Sequence, residues 1–320
     1  MKALQIKKKH HYVWAYYLKG WSNDGVNVWS ISKKGNSRCD SIRGIGCENN
    51  FYKVGALSKD DVKLINIWLK DCDPDLKKLH LNLVNLVYSI QQQALLQGSV
   101  ARKKLNIDLN EIVSCNLFEN YMSMQEGSVV DIIRDLREGD ITCLSDKKTF
   151  WSFGHFMGHQ FSRTKRMRDI MIFSLENSNG DEDVKNIWMD FYKRHWWFMC
   201  AFIGANLSKD ISLNSKKKLL LVENKTSIPF ITSDQPVINI NPDGHKGTEV
   251  DYYYPLSGER ALLILNSNFF YFNEEINDEV IIHFLNQKMA YVSGDTIFAS
   301  DKDTLNTYRP YFNKRKYKFS

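Results

Sequence analysis

The spacing of apolar residues changes twice along this chain of 320 residues. Near the N-terminus, over residues 10–34, the pattern is strand-like, with an aromatic-rich run followed by apolar and polar residues that alternate from Val26 to Ile31. Asp24 and Gly25 lie between these two runs, and an Asp-Gly turn between alternating runs is typical of a β-hairpin. The pattern therefore predicts N-terminal strands within residues 1–55, with a further short strand at 50–53.

The middle of the chain has helical periodicity. Ser58 followed by Asp61 is typical of a helix start, and apolar residues then recur three and four apart over residues 59–208. Breaks near Pro74, Gly98, Gly127 and Gly139 divide this region. The predicted helices cover residues 76–97, 111–125, 129–137, 147–173 and 183–207, and the aromatic residues 196–198 are predicted to lie in the core.

After Asp210, apolar and polar residues again alternate with a period of two. This alternation predicts strands at residues 218–223, 230–232, 237–240, 252–255, 260–265 and 296–299, with one helix at 277–291. The early and late strands are expected to join. We therefore predict an α+β fold in one domain, residues 1–320, in which N-terminal strands (1–55) and C-terminal strands (210–320) form a mixed or antiparallel sheet around a large helical insertion (59–208).

Composition narrows the class of protein. A hydrophobic content of 43% is ordinary for a globular chain, and no apolar run approaches the roughly 18 residues of a membrane span. The basic N-terminal segment lacks the apolar stretch of a signal peptide. The six cysteines form no CxxC pair, which suits a reducing compartment. We expect a cytoplasmic protein without a membrane partner.

The formal charge of +6 permits nucleic acid as a partner. The lysine and arginine clusters are also typical of solvated surfaces, which is the more common reason for such runs. They lie at residues 7–9, 33–34, 216–218 and in a tail that contains Lys314, Arg315, Lys316 and Lys318.

Two adjacent imidazoles, His10 and His11, are the first candidates for chemistry. Neutral imidazoles exchange protons near pH 7 or bind metals, although one surface histidine and one core histidine would give the same sequence. A second candidate pair is Gln160 and Arg163, which share one helix face at i and i+3, where a guanidinium fork suits a carboxylate or phosphate. Lys165, Arg166 and Arg168 follow and predict either a cationic edge or an exposed basic helix.

A third candidate is the segment 229–238, which places Ser233 and Asp234 between two apolar strands. The carboxylate could orient a histidine, bind a metal or act as a base. Ser-Asp turns also cap their own backbone, so a purely local role is the competing interpretation. Tyr252, Tyr253 and Tyr254 are expected to alternate across a strand, with one or two exposed and able to stack on a base.

Taken in order, these motifs resemble those of a known family. They are His10-His11-Tyr12-Val13, Tyr17-Leu18, Phe51-Tyr52, Glu119, Gln160-x-x-Arg163-Thr164, Phe230-Ile231-Thr232-Ser233-Asp234-x-Pro236, Pro255-Leu256-Ser257 and Asn286. From about residue 10 to 300 the chain resembles the bacterial domain-of-unknown-function family 4238. It departs from the family pattern at Trp14 and Ala15, where the family usually has proline and glutamine.

The resemblance implies a role and a site. Members similar to this chain occur among anti-phage defence genes, which implies an antiviral effector, either acting as a homo-oligomer or with a partner protein of a defence system. The family pattern also implies that seven residues share one site: His10, His11, Glu119, Gln160, Arg163, Ser233 and Asp234.

These residue types allow three functions. The first is a nuclease, a hydrolase of phosphodiester bonds, in which His10, His11, Asp234 and Glu119 act as acid and base or hold a divalent metal, while Gln160, Arg163 and Ser233 bind substrate. The second is a non-catalytic sensor that binds a nucleotide, nucleic acid or phage component. The third is a buried polar network that only joins sheet to helices.

Overall fold

A computed structural model describes residues 4–33, 35–105, 107–213, 217–245 and 247–312 of the chain. Lys34, Lys216 and the predicted basic tail (Lys314, Arg315, Lys316, Lys318) lie outside the described residues. Strands occupy the two ends of the described chain and consecutive helices its middle, as the sequence pattern predicts.

The α-helices within the described residues dominate the middle of the chain. In chain order they are α1 (Ala15–Leu18), α2 (Lys59–Trp68), α3 (Pro74–Leu105), α4 (Leu109–Gly127), α5 (Val130–Glu138), α6 (Lys147–Ser162), α7 (Lys165–Glu176), α8 (Glu182–Arg194), α9 (Trp196–Leu213), α10 (Glu279–Val292) and α11 (Lys302–Tyr308). None of these helices combines the length and the apolar character that crossing a bilayer would need.

The strands lie at the two ends of the chain. They are β1 (Lys9–His11), β2 (Asn27–Ser32), β3 (Arg38–Ser41), β4 (Cys47–Asn49), β5 (Lys218–Asn224), β6 (Thr232–Ser233), β7 (Ile238–Asn239), β8 (Tyr252–Pro255), β9 (Arg260–Leu265), β10 (Glu275–Ile276) and β11 (Thr296–Ala299). In the described residues they form a two-stranded sheet β1-β4, a five-stranded sheet β10-β5-β9-β8-β7 and a four-stranded sheet β3-β2-β11-β6.

The α+β class is confirmed, and the joining of early and late strands is confirmed in part. Strand β2 pairs antiparallel with β11, so that Trp29 lies opposite Ala299. The strands do not form one sheet, however. β1 pairs with β4, and five C-terminal strands form a separate mixed sheet in which β10 and β5 are parallel.

The predicted N-terminal hairpin is wrong. The aromatic run forms α1 and a short 3-10 turn, because Tyr17, Leu18 and Trp21 recur at helical spacing and all three are buried. The carboxylate of Asp24 accepts hydrogen bonds from the backbone N–H groups of Val26 and Asn27, which gives a local turn. Strand β2 finds its hairpin partner in β3. The segment 50–53, predicted as a strand, is a turn after β4.

The helical middle is confirmed, with two added breaks and without the break predicted near Gly98, where α3 continues to Leu105. The predicted helix 147–173 ends at Ser162 and restarts at Lys165, because the side chain of Thr164 accepts the N–H of Met167 and caps α7. The predicted helix 183–207 is divided at His195. The predicted start at Ser58 is confirmed by a reciprocal capping box with Asp61.

Helix α6, which holds two of the predicted site residues, packs closely on α9. A Cβ atom at Gly158 would come within 2.3 Å of the carbonyl oxygen of Gly204, and one at Gly204 within 2.9 Å of the His159 ring. Only glycine allows this backbone approach. Trp196, Trp197 and Phe198, at the start of α9, are buried in the core as predicted, so α6 is held against a rigid helix.

Candidate functional site

Helices α4 and α6 and the end of strand β1 bring together four of the predicted residues. Glu119 lies on α4, Gln160 is in the last turn of α6, Arg163 follows as the C-terminal cap of α6, and His11 ends β1. A fifth residue, Glu126, lies two helical turns beyond Glu119, so both carboxylates project from one face of α4. We call these five residues the acid-base site.

Arg163 is the buried end of the acid-base site. Its side chain is 1% exposed, and its Nη1 donates a hydrogen bond to Oε1 of Glu126 at 2.6 Å. The Nε and Nη2 atoms are buried and have no hydrogen-bond partner among the described residues. A guanidinium has five N–H donors, so part of the Arg163 fork remains available to an acceptor on a ligand.

His11 and Glu119 form the outer end. Nδ1 of His11 lies 4.0 Å from Oε1 of Glu119. Burial raises the pKa of the Glu119 carboxyl to about 7, an effect that the charge of Glu126 reinforces and the charge of Arg163 opposes. Burial also lowers the pKa of the His11 imidazole. Near neutral pH the His11 imidazole is therefore largely neutral while the Glu119 carboxyl still holds part of its proton, which suits the first to act as a base and the second as an acid.

Exposure decreases from one end of the site to the other. The His11 side chain is 26% exposed, that of Glu119 13% and that of Arg163 1%. His11 is therefore the end of the acid-base site that lies nearest to solvent, and Arg163 is the end that lies deepest.

Several buried polar atoms around this path lack partners in the described part of the chain. They are Oε2 of Glu119, Oε1 of Gln160 and the hydroxyl of Tyr254, in addition to the two Arg163 nitrogens. Leaving buried donors and acceptors unsatisfied costs roughly 1–3 kcal/mol each, and such groups are uncommon in folded proteins unless they have a function. Together they offer donors and acceptors to a polar ligand.

His10 has a different environment from His11. Its Nδ1 accepts the backbone N–H of Tyr52 at 3.0 Å, and its Nε2 lies 2.9 Å from the carbonyl oxygen of Lys7, to which it donates. The ring is buried and stacks on the Tyr52 ring, with 5.3 Å between centroids. The hydroxyl of Tyr52 in turn donates to the carbonyl oxygen of His11. His10 therefore fixes the backbone that carries His11.

Ser233 and Asp234 form a structural corner beside β11. The Asp234 carboxylate accepts the backbone N–H groups of Gly294 at 2.8 Å and Thr296 at 3.1 Å, and also that of Asp295. The Ser233 hydroxyl accepts the N–H of Gln235 and donates to its carbonyl oxygen. Burial raises the pKa of Asp234 to about 6, although the three N–H donors act in the opposite direction.

The corner contacts the end of α6 through one side chain. The hydroxyl of Thr164 donates to Oε1 of Gln235, and Nε2 of Gln235 donates to the carbonyl oxygen of Phe161 at 3.2 Å. Since Arg163 lies between these two contacts, the corner fixes the backbone from which the Arg163 side chain projects. Within the described residues, neither Ser233 nor Asp234 bonds to a residue of the acid-base site.

The predicted cationic edge of α7 is neutralised within the molecule. Lys165 lies 2.8 Å from Asp295, and Arg168 lies 3.3 Å from Glu48 while its guanidinium covers the Phe51 ring. These basic side chains already have acidic partners, so a basic surface of this kind would bind phosphate only by breaking those contacts.

Two further expectations concern ligands. Among the described residues, no three histidine, cysteine, aspartate or glutamate side chains come together as a group able to hold a metal ion. The prediction of exposed tyrosines is wrong, because Tyr252, Tyr253 and Tyr254 are all buried. Two hydrophobic clusters cover opposite faces of β8, so the alternation has no solvent side.

Glu126 and Tyr254 were not predicted as members or neighbours of the site, and Tyr52 was named only within the family motif. The spacing of seven residues between Glu119 and Glu126 could have indicated Glu126. Local sequence holds no such signal for Tyr254, because only tertiary packing buries this residue of β8 near Arg163.

The fold and site define a class: an α+β protein with a recessed histidine, carboxylate and arginine cluster between a strand end and two helices. The chain belongs to the family described as Protein of unknown function (DUF4238), whose model matches residues 9–197 and 201–303. No curated protein and no solved structure matches the chain.

Proposed function

We propose that this chain is a hydrolase that cleaves phosphodiester bonds of nucleic acid, with His11 and Glu119 as its acid-base pair, and that it acts as an effector in bacterial anti-phage defence. One observation carries the chemistry: a largely buried carboxyl with a pKa of about 7 lies beside an imidazole, near an arginine whose Nε and Nη2 donors have no partner among the described residues. The defence role rests on the family resemblance.

In this mechanism the neutral His11 removes a proton from the attacking water. Protonated Glu119 donates its proton to the leaving oxygen, and the Nε and Nη2 donors of Arg163 stabilise the negative charge that develops on the phosphoryl oxygens. The products are a phosphate monoester and an alcohol. Before the next cycle His11 releases its proton to solvent, and Glu119 takes one up from solvent.

The recessed position of the site favours a flexible substrate. Because Arg163 is almost fully buried, only a narrow polar group could reach it past His11. A single strand, a loop or a nucleotide meets this requirement, whereas a duplex would first have to expose its backbone locally. The paired basic face of α7 gives no continuous surface for a duplex either.

The test is cleavage of single-stranded DNA, plasmid DNA and transfer RNA by the purified protein, with magnesium, manganese or a chelator. His11→Ala and Glu119→Gln should each lower the cleavage rate by about a hundredfold, and Glu138→Gln, an exposed carboxylate on α5, should leave it unchanged. The wild-type rate should fall above about pH 7, where Glu119 loses its proton, and should fall again at acid pH, where His11 becomes protonated. Equal cleavage by wild type and both site variants would refute the assignment.

A second candidate, a non-catalytic sensor, is favoured by the unpartnered Arg163 and Gln160 atoms. These groups would bind a nucleotide or phage component without any proton transfer. In that case Glu119→Gln would retain binding of a nucleotide probe and retain protection against phage, while Arg163→Lys would lose both, because a lysine cannot reproduce the planar fork. Loss of protection in Glu119→Gln with intact binding would instead support catalysis.

A further inference from the structure

A groove with a volume of about 320 Å³ lies between helices α3, α4, α6 and α9, apart from the acid-base site. Its walls are apolar, and its polar lining consists of uncharged side chains. Leu79, Leu83 and Leu86 of α3 form part of the apolar wall, and the polar lining includes His80, Tyr121 and His155.

The hydrogen bonds at this groove fix where His155 carries its proton. The Tyr121 hydroxyl lies 3.0 Å from Nε2 of His155 and 3.2 Å from Nε2 of His159. Nδ1 of His159 lies 2.9 Å from the carbonyl oxygen of His155, and a carbonyl only accepts, so this nitrogen holds the proton. Burial lowers the pKa of His159 to about 3, which leaves its Nε2 as an acceptor.

It follows that the Tyr121 hydroxyl donates to His159 and accepts from His155. His155 therefore carries its proton on Nε2, and its Nδ1 has a free lone pair. Within the described residues that Nδ1 makes no hydrogen bond, so it is available to a donor on a ligand.

His80 offers the complementary group. Its Nε2 lies 3.3 Å from the side-chain nitrogen of Asn206, which can only donate, so Nε2 accepts. Burial lowers the pKa of His80 to about 4, so the ring is neutral and its single proton lies on Nδ1. The groove thus has one imidazole acceptor and one imidazole donor beside an apolar wall.

We propose that this groove is a binding site for a small neutral amphiphile whose head group is both a hydrogen-bond donor and an acceptor, such as an alkyl amide. The amide N–H would donate to Nδ1 of His155, its carbonyl would accept from Nδ1 of His80, and the alkyl chain would cover Leu79, Leu83 and Leu86. Pockets of this size with apolar walls and a few polar groups are typical small-molecule sites. Charged amphiphiles are excluded because the lining has no opposite charge to compensate their loss of hydration.

The experiment is calorimetric titration of the full chain with octanamide, octanoate and octylammonium. Octanamide alone should bind saturably. His155→Phe, which keeps a ring but removes the acceptor, should weaken octanamide binding by about tenfold. Leu79→Glu, which adds a charge at a half-exposed wall position, should abolish it. Leu96→Glu, on the same helix but 79% exposed and outside the groove, is the matched control and should bind as wild type.

Circular dichroism of each variant checks its fold. Should His155→Phe fail to fold, the ring nitrogen resonances of His155 in the wild type provide the same test, because octanamide should shift the Nδ1 signal. The proposal is overturned by tight binding of octanoate or octylammonium, by octanamide binding that survives Leu79→Glu, or by no saturable octanamide binding at millimolar concentration.

Discussion

Individual side chains decide which of two neighbouring histidines can do chemistry. His10 and His11 are adjacent in a strand, so their rings point to opposite faces. Both ring nitrogens of His10 bond to backbone groups. In His11 only Nε2 does so, 3.3 Å from the carbonyl oxygen of Arg43, while Nδ1 faces Glu119 and the side chain is 26% exposed. An imidazole whose two nitrogens are fixed by the backbone cannot exchange a proton without breaking a buried hydrogen bond, so only His11 is suited to acid-base work.

The raised pKa of Glu119 predicts how the free energy of unfolding depends on pH. Between about pH 4.5 and 7 the folded protein holds a proton on Glu119 that the unfolded chain has released, so the free energy of unfolding should fall as pH rises through this window. A shift of this size corresponds to about 3 kcal/mol. Glu119→Gln should remove that part of the slope, measured by urea unfolding at several pH values against wild type.

Glu138→Gln is the control for this prediction, because its carboxylate is exposed. It should reproduce the wild-type dependence on pH. Parallel curves for wild type and Glu119→Gln would mean that Glu119 ionises normally, and the proposed general acid would lose its basis.

Asp234, in contrast to Glu119, is predicted to act as a structural carboxylate that stabilises the fold through its hydrogen bonds. In Asp234→Asn the side-chain NH₂ would face backbone N–H donors of residues 294–296, so we expect the free energy of unfolding to fall by about 2 kcal/mol. Urea denaturation measures this, with the exposed Asp60→Asn as control. A variant with wild-type stability but no activity would instead make Asp234 a catalytic residue.

At the scale of elements, the break between α6 and α7 is what the periodicity could not predict. Apolar spacing continues through residues 147–173, so the sequence indicates one helix. The break arises because Thr164 caps α7 and also bonds Gln235, 71 residues away. A contact that distant has no local signature. Strands β5, β8 and β9 are the middle strands of one sheet, and their apolar side chains are largely buried. Such strands appear in the sequence as short apolar runs, so they could be predicted from it.

Thr164→Val tests this junction. The substitution keeps the shape but removes both the cap and the bond to Gln235, and a lost cap alone costs about 1 kcal/mol. We expect Thr164→Val to destabilise the protein by about 1 kcal/mol more than Asp181→Ala, which removes only the exposed cap of α8. Thermal unfolding of both variants measures the difference. Equal losses would show that the link to Gln235 adds nothing.

At the scale of the whole molecule, the three regions predicted from the sequence are bound together by residues of the first thirty positions. The indole N–H of Trp21 donates to the carbonyl oxygen of Phe230 at 2.7 Å, and the Tyr17 ring stacks on Tyr254. Arg137 of α5 donates to the carbonyl oxygens of Tyr17 and Leu256. The acid-base site depends on the same assembly, since it joins β1, α4 and α6. For this reason residue spacing alone could not group its members, and only the family resemblance placed His11, Glu119 and Arg163 in one site.

The prediction of a single domain can be tested because the N-terminal residues and the C-terminal strands depend on contacts with each other. A fragment of residues 1–213 lacks β11, the partner of β2, and leaves the faces around Tyr17 and Trp21 without their C-terminal contacts. We therefore expect the fragment to unfold without a cooperative transition, whereas the intact chain should show one transition at the same urea concentration by circular dichroism and by tryptophan fluorescence. A cooperative transition in the fragment would mean that the helical region folds independently. In that case the C-terminal strands would be a second domain that docks on a preformed acid-base site, because His11, Glu119 and Arg163 all lie within the fragment.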